Sequence, residues 1–171
     1  STSGSVALEA ALQNKTRVIG LVGIDNFKDI GQIESVDSKK DEANFFTAAR
    51  INFKPLAYAY ASEALFSKST DTLVKNRVLS DLGKADSLIA IECLERAGMY
   101  DVLPHLKRLK KRLYLINSDL TPTDTTGLVK QAIGYKIFTL HGTGHFPMIE
   151  SPVEFNSLLA KAVLLISGHK D

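Results

Sequence analysis

Apolar positions along the chain fall into two rhythms. In residues 1–12, small side chains lead into Ala7, Leu8, Ala11 and Leu12, the spacing of one helical face. After a polar turn at 13–16, residues 17–24 are apolar without alternation, the pattern of a strand buried on both faces of a parallel sheet. Helical patterns then follow one another. Asp41 and Glu42 cap a helix carrying Ala43, Phe46, Ala49 and Arg50, and residues 56–66 form another, with Pro55 in its first turn. Residues 69–82 and 86–98 add two more, the last closed by Gly98. Strand patterns return at 112–117 and 135–140, with a short helix between them at 125–132. The chain ends on a stripe of Phe155, Leu158, Leu159, Ala162, Val163 and Ile166, with Pro152 just ahead of it.

This order predicts an α/β fold, a parallel sheet with flanking helices. Residues 1–30 and 110–171 carry the sheet, and residues 31–109 are a helical insertion. Three strands leave an apolar edge open, a liability for pairing and aggregation. The expectation is therefore a partner for that edge: upstream strands, a second copy of the chain, or both.

Composition removes several classes. The 171 residues include 21 Lys and Arg against 19 Asp and Glu, a net charge of 21 − 19 = +2, with no electrostatic footprint for nucleic acid. The basic run at 107–112 lacks interleaved aromatics and reads as a solvated turn. A single cysteine, Cys93, excludes an intrachain disulfide, and no cluster has zinc-site spacing. No apolar stretch reaches the roughly 18 residues of a membrane span, no signal peptide is visible, and localisation stays open.

Three polar clusters sit where a parallel sheet delivers chemistry, just past the carboxyl ends of strands. Gly142, Thr143, Gly144, His145, Phe146 and Pro147 follow the third strand, and the two glycines let His145 project from a loop. Asn117, Ser118, Asp119, Leu120, Thr121 and Pro122 follow the second strand. Ser1, Thr2, Ser3 and Gly4 open the first helix. Each has an ordinary structural use as a turn or cap. Taken together, the order Ser, Asp, His fits the nucleophile–acid–histidine order of an α/β hydrolase.

The segment from Gly144 through Glu150, Pro152 and Phe155 resembles the Gly-His-x-x-x-x-Glu-x-Pro-x-x-Phe signature of the α/β-hydrolase superfamily. Residues 1–22 resemble the stretch from the nucleophile elbow through the next strand, and the helical insertion resembles the family's cap. The whole chain is thus similar to the C-terminal portion of that fold. The resemblance implies a Ser1 nucleophile, an Asp119 acid, a His145 base and an oxyanion-hole donor at the Thr2 backbone N–H. Asp25 is the second candidate for the acid, because some members place it after the preceding strand. His141 is read as structural, and His105 and His169 as solvated. The aromatics at 45, 46, 53, 58, 60, 66 and 100 pack the helices or line an acyl pocket.

The sequence departs from the family pattern at Ser3, where a glycine is usual, and it lacks the two elbow residues before the serine. The loop that supplies the other oxyanion donor is also missing. Losing one such donor costs on the order of 10²–10³ in rate. The start at Ser1 fits either cleavage of a longer precursor just before that residue or a split or incomplete piece. The implied activity is a serine hydrolase acting on carboxylic esters or related acyl substrates through an acyl-enzyme. It needs no metal or organic cofactor, and it calls for a complementary N-terminal hydrolase segment or self-association. Acyl transfer and perhydrolysis use the same residues. A non-catalytic small-ligand-binding protein on the same scaffold is the alternative.

Overall fold

A computed structural model describes residues 2–32 and 35–168. The elements run α1 (Ser3–Gln13), β1 (Leu21–Ile24), α2 (Val36–Ile51) and α3 (Phe53–Tyr60), which continues into a π-helical turn over Ala61–Leu65. Then come α4 (Thr72–Leu82), α5 (Ser87–Gly98), α6 (Val102–Leu109), β2 (Leu113–Ser118), α7 (Thr126–Lys130), β3 (Tyr135–Leu140), α8 (Pro147–Glu150) and α9 (Pro152–Ile166). The sheet is parallel in the order β1-β2-β3, with Leu21 opposite Leu113 and Leu113 opposite Tyr135.

The sheet divides two cores. On one face Leu8, Ala11 and Leu12 of α1, Leu106 and Leu109 of α6 and Leu128 of α7 pack on Leu21, Leu113 and Leu115. On the other, Phe155 and Ala162 of α9 pack on Tyr114, Ile116, Phe138 and Leu140. β2 is buried along its whole length, so each of its leucines and its isoleucine contributes about 1.5–3 kcal/mol of burial. The helical insertion has a separate small core of Phe46, Ala49 and Ile91. A further cluster, Ala61, Phe66 and Val78 with Phe146 and Ile149, joins the insertion to α8.

Helix starts follow side-chain capping. Ser35, Asp71, Asp86 and Asp101 each accept a backbone N–H from the first turn of α2, α4, α5 and α6. Because Ser35 is the cap, α2 begins before the expected Asp41–Glu42 pair. β1 is shorter than its apolar run, since the amides of Arg17 and Val18 both turn back to the Asn14 carbonyl. The basic run is partly helical: α6 supplies it, and Leu106 and Leu109 anchor that helix to the sheet. His105 is also more than a solvated side chain. It stacks on Tyr100 at 4.6 Å and reaches Glu9 at 3.2 Å, while Tyr100 donates to the same carboxylate. Phe45 meets Phe46 edge-on and also contacts Tyr60, so these aromatics pack the insertion's helices together. His169 lies outside the described residues.

Candidate active site

The carboxyl end of the sheet gathers three loops. After β1 the chain turns through Asp25 in a left-handed conformation, φ 43°. That turn carries the Asp25 side chain over the end of β2, while its own amide stays on the ladder through Ile116 O at 2.9 Å. There Oδ1 accepts from the Ser118 amide at 2.8 Å and the Ser118 hydroxyl at 2.7 Å, and it pairs with Lys28 Nζ at 2.7 Å. Oδ2 accepts from His145 Nδ1 at 2.7 Å. Burial pushes this carboxyl's pKa up. The hydrogen bonds from His145, Lys28 and Ser118 outweigh it and hold the group well below the usual carboxylate range.

An ionised carboxylate can only accept, so His145 carries a proton on Nδ1, and its Nε2 is the ring nitrogen turned away from Asp25. The loop that presents His145 is fixed on both sides. Its amide donates to Leu65 O, a carbonyl at the end of the π-helical turn, at 2.8 Å. Glu150 accepts the amides of Gly144 at 2.9 Å and Phe146 at 3.2 Å. Gly144 is required here, because a Cβ would run into Leu65 O and lie 2.9 Å from Ser67 N.

Asp119 and His145 are not brought together. Asp119 continues the β2–β3 ladder through its amide to Leu140 O at 3.1 Å, which holds its side chain beside the start of the next loop. Its two oxygens accept from His141 Nδ1 at 3.0 Å and the Gly142 amide at 2.9 Å, and these contacts lower its pKa. The histidine expected with Asp119 is therefore on Asp25, and His141 occupies Asp119. Ser1 lies outside the described residues. Thr2 stands at the start of α1. The first turn of α1 is pressed onto Asn26 and Phe27, the two residues after Asp25, so closely that a Cβ on Gly4 would overlap Asn26.

Three supporting residues carry no motif of their own. Asn117 is 1% exposed; its Oδ1 accepts the Asn26 amide and its Nδ2 donates to the Asn26 carbonyl, pinning the loop behind Asp25. Ser118 and Lys28 satisfy the Asp25 oxygen that His145 does not use. The available signal was two polar residues closing an otherwise apolar strand. Among the described residues no group of three or more His, Cys, Asp or Glu side chains is placed to hold a metal, and no helix is long and apolar enough to cross a membrane.

No protein-family model and no curated protein matches the sequence. Solved structures do match the fold. A hydrolase from Oleispira antarctica superposes with a TM-score of 0.77 at 12% identity, over 96% of this chain and 62% of its own. An alpha/beta hydrolase enzyme from a Medee basin deep-sea metagenome library gives 0.71 at 21% identity, over 100% and 64%. A thermophilic esterase from Thermogutta terrifontis gives 0.74 at 16%, over 95% and 62%. The chain thus has a partial α/β-hydrolase fold and spans less than two thirds of the length of these structures.

Proposed function

We propose that this chain carries the reacting residues of a serine hydrolase for carboxylic esters or related acyl substrates. Ser1 is the nucleophile, His145 the general base and Asp25 the acid. The observation that supports this most is the 2.7 Å hydrogen bond from His145 to a buried, ionised Asp25, at the sheet end where α1 begins. His145 Nε2 takes the Ser1 hydroxyl proton as the oxygen attacks the acyl carbon. Asp25 stabilises the imidazolium so formed. The tetrahedral oxyanion accepts from the Thr2 amide, and collapse to the acyl-enzyme expels the alcohol with the proton from His145. Water then repeats the sequence and releases the acid. Asp119, committed to His141 and Gly142, is assigned to the loop rather than to the chemistry.

The remaining oxyanion donor and the strand beside β1 are assigned to a complementary hydrolase segment. Two observations favour it: among the described residues the outer edge of β1 is unpaired, and the matched hydrolases are longer than this chain.

Intact mass after exposure to a fluorophosphonate tests the reading. One probe adds per chain, and the gain disappears in Ser1→Ala and His145→Ala. Labelling falls by about 10⁴ in Asp25→Asn and persists in Asp119→Asn. The reverse ranking of the two aspartates would return the acid role to Asp119. No labelling of folded chain, alone or with the complement, would replace catalysis by small-ligand binding on the scaffold.

A further inference from the structure

The helical insertion does more than cover the sheet end. Its segment between the π-helical turn and α4 is bonded to the histidine loop at several points. Leu65 O takes the His145 amide at 2.8 Å. The hydroxyls of Ser67 and Ser69 both donate to Gly142 O, at 2.9 and 2.6 Å. Thr70 is buried; its hydroxyl accepts the Ser67 amide at 2.9 Å and donates to Glu150 Oε2 at 2.6 Å. The same Oε2 accepts the Gly144 amide, and Oε1 accepts the Phe146 amide. One carboxylate therefore holds the residues immediately before and after His145, and one insertion hydroxyl holds that carboxylate.

We infer that Glu150 is a positioning residue for His145 and that Thr70 is its partner from the insertion, so that the base is set only while the 65–70 segment is seated. The inference deepens the hydrolase reading and rests on it for the role of His145. Side-chain length explains the choice of residue. A glutamate at the end of α8 reaches back over one turn to two amides that flank a single residue, and charge-assisted acceptance strengthens both bonds. The 65–70 segment is then a fixed wall of the site and not a free lid, because releasing it would leave the Glu150 carboxylate and the His145 amide short of partners.

The test uses the full chain with two readouts. The first is the His145 Nδ1–H proton resonance, shifted downfield and protected from exchange by Asp25. The second is the rate of Ser1 labelling by a fluorophosphonate. In Thr70→Val and Glu150→Gln the resonance broadens through faster exchange and labelling slows by about tenfold to a hundredfold, while unfolding stays cooperative. Thr70→Ser, which restores the hydroxyl, recovers both. Folded Thr70→Val with an unchanged resonance and rate overturns the inference, and this variant decides it if Glu150→Gln fails to fold. A protected resonance in wild-type chain that never labels, alone or with the complementary segment, sinks the hydrolase reading instead, and the resonance in the variants still decides the positioning role.

Discussion

Asp25 and Phe27 both occupy the left-handed region, at φ 43° and 53°, in a turn over residues 25–28 that has no glycine. Such conformations cost on the order of 1–3 kcal/mol each and persist where surrounding contacts over-determine them. Here those contacts are the Asn117 clamp on Asn26 and the four groups around the Asp25 carboxylate. Lys28 is the cationic member of that set, with its side chain only 14% exposed. Because the folded Asp25 carboxyl has a depressed pKa, its ionised form stabilises the fold above the unfolded value of about 4, and this is lost as pH falls toward the folded value. Removing Lys28 removes one cause of the depression. In Lys28→Met, then, the unfolding free-energy gap from wild type is widest above about pH 5 and narrows steadily toward pH 2. Denaturant titrations at a series of pH values read this directly, and a gap that stays constant with pH would make Lys28 a spectator. The choice between Asp25 and Asp119 was not legible in the sequence for the same reason. Both follow strand ends, and the left-handed turn that carries Asp25 across β2 is encoded in Asp-Asn-Phe, which has no glycine to announce it.

At the scale of elements, the strands were legible because burial on both faces of a parallel sheet writes an unbroken apolar run, and β2 at 113–118 is the clearest case. Boundaries were less so: the turn at Asn14 takes four residues from β1, and a serine cap moves α2 forward. α6 was hidden by Lys107 and Arg108 on its outer face, although Val102, Leu106 and Leu109 mark its inner one. The meeting of the π-helical turn with the histidine loop had no sequence signature except Gly144. That contact makes a sharp test. Gly144→Ala drives a methyl into Leu65 O and against Glu150 Oε1, with backbone on one side and a bonded carboxylate on the other. Labelling by a fluorophosphonate falls by about 10²-fold, while far-UV circular dichroism stays that of wild type. Gly134→Ala is the control, since its added methyl meets nothing nearer than Arg112 at 4.0 Å. Equal labelling in the two variants would mean that the loop tolerates displacement from the insertion.

At the scale of the whole molecule, the sheet has two outer edges among the described residues. β2 is paired on both sides, whereas β1 and β3 each have one neighbour, and the outer edge of β1 follows on from Ile19, which is 64% exposed. Amides along a parallel strand alternate in direction. Asp25 donates inward to Ile116 O, so Leu21 and Gly23 also face β2, and the amides of Val22 and Ile24 point to the open edge. The described chain thus predicts a split within one four-residue strand. In dilute solution Leu21 and Gly23 exchange their amide hydrogens slowly and Val22 and Ile24 quickly. Adding a complementary segment that supplies the next strand protects the second pair and leaves the first unchanged. Residue-resolved hydrogen exchange makes the comparison, with light scattering on the same samples. Protection of all four amides in the chain alone, at twice its 18.7 kDa mass, would assign the edge to a second copy. Protection at the monomer mass would mean that neither partner is needed, and the argument from the open edge would fall.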